Sequence, residues 1–154
     1  MRLASADGAW LDLRVLRRQA VEVRAVELDR ADWAQTWLLV RGEVRTADGR
    51  GWVFREPCLT PWEGNQLGSW LRAVAERPGG LLGTGLLAAD PTLSWVLDDA
   101  RGDRRLLRVH LTGPAAWTDP VTAEQVGGGV PLDVTVGTLL GAAEEWLADI
   151  AASG

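Results

Sequence analysis

Between Gln35 and Glu56 apolar and polar side chains alternate with a period of two, and this constrains the chain more tightly than any other stretch. Leu38, Val40 and Val44 fall on one side, with Trp37, Leu39, Arg41 and Glu43 on the other. Ala47-Asp48-Gly49 interrupts the run before Gly51–Glu56 resumes it, and glycine accepts the positive φ that a tight hairpin needs. The segment predicts an antiparallel pair with one buried face.

The same period marks shorter runs. Leu11, Leu13 and Val15 alternate with Asp12 and Arg14, and Val21 and Val23 with Glu22 and Arg24, leaving Arg17, Arg18 and Gln19 as a connection. Further on, Leu93, Trp95 and Leu97 alternate with Ser94, Val96 and Asp98. Leu107, Val109 and Leu111 then alternate with Leu106, Arg108 and His110. Asp98 to Asp103 reads as the polar loop joining these two strands, and Gly113 to Gly129 as a long surface loop with little periodicity.

Two segments carry the helical period instead. Thr60-Pro61-Trp62-Glu63 supplies a capping hydroxyl, a proline at the first helical position and a glutamate three residues on that closes a capping box. Leu67, Trp70, Leu71 and Val74 then form one apolar stripe, and Pro78-Gly79-Gly80 stops the helix. Near the end, Val136, Leu139, Leu140, Ala143, Trp146, Leu147 and Ile150 make a second stripe. Many strands with two helices, rather than strict strand–helix alternation, predict an α+β fold: a mainly antiparallel sheet with two principal helices packed on it. At 154 residues the expectation is a single domain, 1–154.

Charge and composition narrow the function. A formal net charge of −5 argues against general affinity for nucleic acid and favours a basic partner. All sixteen basic side chains other than His110 are arginine, so lysine Schiff-base chemistry is excluded. The lone Cys58 cannot form an intrachain disulfide, and no Cys/His cluster has metal-ligand spacing. Met1 to Trp10 contains Asp7 and no sustained apolar run, so it reads as neither signal peptide nor membrane span, and the expected compartment is the cytoplasm.

Reactive residues are sparse. His110 is the only histidine and reads as a structural strand residue, while Cys58 reads as a small buried hydrophobe. A Cys58–His110 pair is the one catalytic arrangement these residues leave open. Gly79-Gly80 and Gly127-Gly128-Gly129 lack the lysine and the strand–helix spacing of phosphate loops, and no cofactor is expected. Asp98-Asp99 and Glu144-Glu145 read as solvated surface.

Nine tryptophans stand against one phenylalanine and no tyrosine. Trp70, Trp95 and Trp146 lie on apolar stripes and are expected in the core. Trp33, Trp62 and Trp117 fall in loops or at a helix start, so they are the aromatic candidates for partner contact, with Asp98, Asp99 and Asp103 the acidic ones.

Glu56-Pro57-Cys58-Leu59 and Asp90-Pro91-Thr92-Leu93 both run acidic-Pro-x-Leu at a strand boundary, a structural motif in which proline removes a ladder donor. The order of these features resembles the WapI-type bacterial immunity proteins. Their aromatic strand pattern corresponds to Asp32-Trp33, Trp37-Leu38 and Val40, and their D-P-C-L step to Glu56 through Leu59. Their L-x-x-W-L helix corresponds to Leu67, Trp70 and Leu71, and their E-P-N-L-S-F run to Asp90 through Trp95. The chain departs from the last run with Thr92 in place of asparagine and Trp95 in place of phenylalanine. The resemblance covers about residues 10 to 112 and a less specific final helix. It implies a non-catalytic cytoplasmic protein that neutralises a polymorphic toxin, often a nuclease, by stoichiometric binding. A small-ligand or housekeeping module with a tryptophan-lined pocket is the alternative.

Overall fold

A computed structural model of the chain describes residues 1–21, 35–88 and 92–154. Four strands come first, β1 (Arg2–Ala4), β2 (Trp10–Val21), β3 (Gln35–Arg45) and β4 (Gly51–Leu59), followed by helix α1 (Pro61–Glu76). They lie side by side in chain order, each pair antiparallel. The order then recurs. β5 (Gly85–Leu87), β6 (Leu93–Arg101) and β7 (Arg104–Leu111) are separated by a small hairpin, β8 (Trp117–Thr118) and β9 (Gln125–Val126), from β10 (Gly128–Thr135) and helix α2 (Val136–Ala152). β10, β7, β6 and β5 make a second antiparallel sheet in that spatial order. This is the expected α+β class, with the strands divided between two four-stranded sheets.

One apolar cluster takes in the inner faces of both sheets and the stripes of both helices. Leu38, Val40, Val44 and Phe54 represent the first sheet, Trp95, Leu97, Leu107 and Val109 the second, and Leu67, Leu71, Leu139 and Trp146 the helices. Each such side chain contributes roughly 1.5–3 kcal/mol when buried. Gly42 has a steric reason, because a Cβ there would lie 2.1 Å from the Phe54 ring that crosses the strand. Trp95 and Trp146 are fully buried as expected, whereas Trp70 is only half-buried, with its ring 6.5 Å from that of Trp95.

Both helices begin on a threonine. Thr60 Oγ1 accepts the Glu63 amide at 3.2 Å while the Glu63 carboxylate accepts the Thr60 amide at 2.7 Å, which is the capping box read from the sequence. Thr135 Oγ1 accepts the Thr138 amide at 3.1 Å. The helices meet through small residues. A Cβ on Gly68 would lie 2.6 Å from Leu147, and the Trp146 indole donates to the Gly64 carbonyl at 2.8 Å.

The far end of α1 is held by a charge. Arg105 on β7 is only 5% exposed, and its guanidinium donates to the carbonyls of Val74 and Ala75, both at 2.8 Å. It also donates to Gly102 and Arg104 at 2.9 and 2.8 Å. The last-turn carbonyls of a helix lack intrahelical donors and carry its negative dipole end, so a cation there satisfies both.

Four readings of connections need correction. Arg17 to Gln19 do not connect strands: β2 continues through them, with a bulge at Leu16 that shifts the register between Val15 and Arg17. Asp98 to Asp103 is not all loop, because β6 runs to Arg101 and turns on Gly102-Asp103, after a bulge at Asp98. An extra residue inverts the alternation, so a period-two reading stops there. Gly113 to Gly129 contains a 3-10 turn (Gly113–Ala115), the β8–β9 hairpin and the start of β10. β4 continues beyond Glu56 to Leu59. Val23 and its polar neighbours Glu22 and Arg24 lie outside the described residues.

Replacing Arg105 by alanine leaves buried carbonyls at the end of α1 without donors, at a cost of about 2–4 kcal/mol. Urea unfolding measures this directly; a loss below about 0.5 kcal/mol would show that the guanidinium is dispensable.

Candidate interaction site

The candidate residues are carried by different elements. Trp62 is the second residue of α1, opposite its apolar stripe, and is 70% exposed. Glu63 is tied into the cap and Pro61 fixes the first turn, so the Trp62 indole is presented from a rigid backbone. Trp117 opens β8 and is half-buried, with the Arg50 guanidinium 5.2 Å from its ring centroid. Trp33 lies outside the described residues.

Arg50 is itself fixed. Its Nε donates to Asp48 Oδ2 at 3.0 Å across the β3–β4 turn, and Thr46 Oγ1 donates to the same carboxylate. Those hydrogen bonds, with Thr46 the larger influence and Arg50 next, pull the Asp48 carboxyl down from 3.8 to about 2. Beneath them Trp52 Nε1 donates to the Ala115 carbonyl at 2.9 Å and anchors the 3-10 turn to the hairpin.

The acidic candidates share the β6–β7 hairpin, and two of them are in ion pairs. Asp98 Oδ2 accepts Arg108 Nε at 2.8 Å and lies 2.7 Å from its Nη2. Asp99 pairs with Arg101 at 2.7 Å and accepts the Ala100 amide at 2.8 Å. Asp103 is exposed, and its backbone carbonyl takes the Val136 amide at the start of α2. A cleft of about 250 Å³ lined by Asp99, Arg101, Arg104, Leu106 and Asp133 opens beside them. It is smaller than the roughly 300–1,000 Å³ of typical ligand sites, and four of its five lining residues are charged.

Cys58 and His110 do not meet. Cys58 is fully buried in the core near the end of β4. His110 alternates with the core residues Val109 and Leu111, which places it on the outer face of the other sheet, opposite Ser94 and Gly129. Cys58, Leu59 and Leu93 are core residues, Pro57 faces Leu39 at a register shift, and Glu56 is half-buried opposite Val40. Two residues of the first acidic-Pro-x-Leu run thus lie in the core; Asp90 and Pro91 of the second lie outside the described residues. Among the described residues no three His, Cys, Asp or Glu side chains are grouped to hold a metal ion, and no helix is long and apolar enough to cross a membrane.

Strand register reveals one arrangement that the sequence reading missed. Arg14, Arg41 and Arg55 stand directly opposite one another across β2, β3 and β4 on the outer face of the first sheet. Asp12 and Glu43 form the neighbouring row, with Arg14 3.2 Å from Asp12 and Arg41 3.0 Å from Glu43.

The model of the WapI-like immunity protein family matches residues 2–154. The chain belongs to that family. No curated protein sequence matches it. Among solved structures it is similar to that of the plant transcriptional regulator PBF-2, at 7% identity over 99% of this chain and 81% of the other, with a TM-score of 0.32. In this immunity-family chain Glu56 to Leu59 are the last residues of β4, and Thr60 then caps α1.

The Asp48 hydrogen bonds set a pH dependence. A carboxyl whose folded value lies below its unfolded one stabilises the fold above about pH 3.8, and that contribution is lost as pH falls through about 2. A carbon-detected NMR titration should find the Asp48 midpoint near 2 and Asp48→Asn should remove this part of the acid-side decline. A midpoint near 3.8 would contradict the described hairpin.

Proposed function

We propose that this immunity-family chain neutralises a toxin protein by binding it directly, without chemistry of its own. Family membership over residues 2–154 carries the reading. The separation of buried Cys58 from outward-facing His110 supports it, because nucleophilic catalysis needs both groups within hydrogen-bond reach. The cytoplasm is the proposed place of action, and the partner is a protein rather than nucleic acid, membrane or cofactor. A nuclease is the toxin class in view. The net charge of −5 favours long-range approach by a protein of net positive charge.

Trp62 is the proposed contact residue with the strongest support, since a large exposed indole on a capped helix gains much area on docking and loses little freedom. Trp117, stacked with Arg50, and Asp103 on its turn are secondary contacts in the same proposal, with Asp98 and Asp99 reached through their arginine partners.

Co-expression with the toxin domain encoded beside it should restore growth to bacterial cells that the toxin alone kills, and the two proteins should co-purify. Cys58→Ala should retain full protection. Trp62→Ala should weaken toxin affinity about tenfold without changing the unfolding midpoint. Failure of the wild-type chain to protect or to bind would reject neutralisation by direct binding; protection lost in Cys58→Ala, with the fold intact, would restore the catalytic alternative.

A further inference from the structure

The outer face of the first sheet has a charge pattern that the fold does not require. Arg14, Arg41 and Arg55 occupy one cross-strand row, with Cβ atoms of directly opposed residues about 5 Å apart. Like charges in that position destabilise a sheet. Asp12 and Glu43 in the next row each engage one of these arginines from its own strand. Arg55 has no ion-pair partner among the described residues and is exposed, as is Arg45 beyond the acidic row. Arg2 is stacked 4.4 Å over Trp10, and Arg17 follows the β2 bulge opposite Leu39.

Among the described residues the face therefore holds Arg2, Arg14, Arg17, Arg41, Arg45 and Arg55 against the carboxylates of Asp12 and Glu43, in a chain whose total charge is −5. Its charge is opposite in sign to that of the molecule. The core has no use for these guanidiniums, because the residues that alternate with them, Leu38, Val40, Val44 and Phe54, are the buried ones. Val53, 55% exposed, lies between Gly51 and Arg55 on the same face and adds an apolar contact.

We infer that this face is the docking surface for an acidic patch on a partner protein, whose carboxylates align with the arginine row. The inference rests on the reading that the chain acts by binding a protein, and it adds this face to the contacts proposed above. A protein fits better than a phosphate backbone. The row of Asp12 and Glu43, with Arg2 at its β1 end, lies between the arginine row and Arg45, so the sign of the charge changes from row to row along the strands. A continuous polyanion would meet repulsion at the middle row, whereas a protein can place a cation there. Net charge governs approach at long range and the face governs docking at contact, so a partner of net positive charge can still present an acidic patch here.

The test uses the full chain, an acidic peptide with a lysine between two glutamate runs, an oligothymidylate of equal net charge, and the toxin domain encoded beside the chain. With this peptide, amide signals of β2, β3 and β4 should shift at low salt and lose the shift at high salt, and oligothymidylate should bind more weakly. Arg55→Gln should keep or raise the unfolding midpoint, since it relieves a like-charge contact, yet weaken the peptide severalfold. Arg41→Glu with Arg55→Glu should lower toxin affinity at least about tenfold, with Glu144→Gln on α2 as an unaffected control. Equal toxin binding by the double variant, peptide shifts confined to other elements, or tighter binding of oligothymidylate would each overturn the assignment. A toxin that ignores the wild-type chain defeats the immunity reading instead, and the peptide titration then decides the face by itself.

Discussion

The Trp146 indole reaches the Gly64 carbonyl because α1 offers no side chain where α2 crosses it, and the two halves of the molecule are joined around that contact. A Cβ on Gly64 would lie 2.7 Å from Leu38 and 2.9 Å from Ile150, and one on Gly68 would meet Leu147. Two glycines one turn apart let α2 come close, with Leu38, Ile150 and Leu147 in the space their side chains would take. The indole N–H, costly to bury without an acceptor, finds a helix carbonyl with a second lone pair to give. Each helix follows its own four-stranded sheet, so this contact brings together two otherwise similar units. Arg105 repeats the link from the other side, carrying a guanidinium from the second sheet to the end of the first helix. Both links are hydrogen bonds to carbonyls inside apolar surroundings, where they fix orientation as well as proximity.

What could be read from the sequence follows from which face of each element is buried. β3 and β4 were legible because one face is core and the other solvent, and α1 because its cap, stripe and stop agree. β1 and β5 are three residues long, too short to show a period. The two bulges put Leu16 and Asp98 where the alternation breaks, and each strand was cut short there. β8 and β9 each consist of only two residues, and their pairing depends on the turn between them rather than on any apolar pattern.

The candidate site was legible only where exposure is a local property. Trp62 could be singled out because a helix cap fixes which way its side chain faces relative to the stripe. Trp117 needed Arg50, a residue far away in sequence, before its surroundings had meaning. Ion pairing changed the aspartates in the same way: Asp98 and Asp99 read as solvated surface and acidic contact candidates, and the structure gives each an arginine. The row of Arg14, Arg41 and Arg55 is the strongest case. Nothing local marks it, since three separate strands must take one register before the guanidiniums align.

Along β3 the alternation that made the strand readable also divides its duties. Leu38, Val40 and Val44 are bound to the core and can change only with their packing partners, whereas Arg41, Glu43 and Arg45 face outward and answer only to what meets them. Leu39 is the exception on that outer face, 6% exposed opposite Arg17 and Pro57, where the β3–β4 register shifts by one residue. The strands can therefore exchange outward residues for a new partner while the inward ones keep the fold. A period of two separates binding from folding one residue at a time, and the helix pair that joins the two sheets stays clear of the exchange.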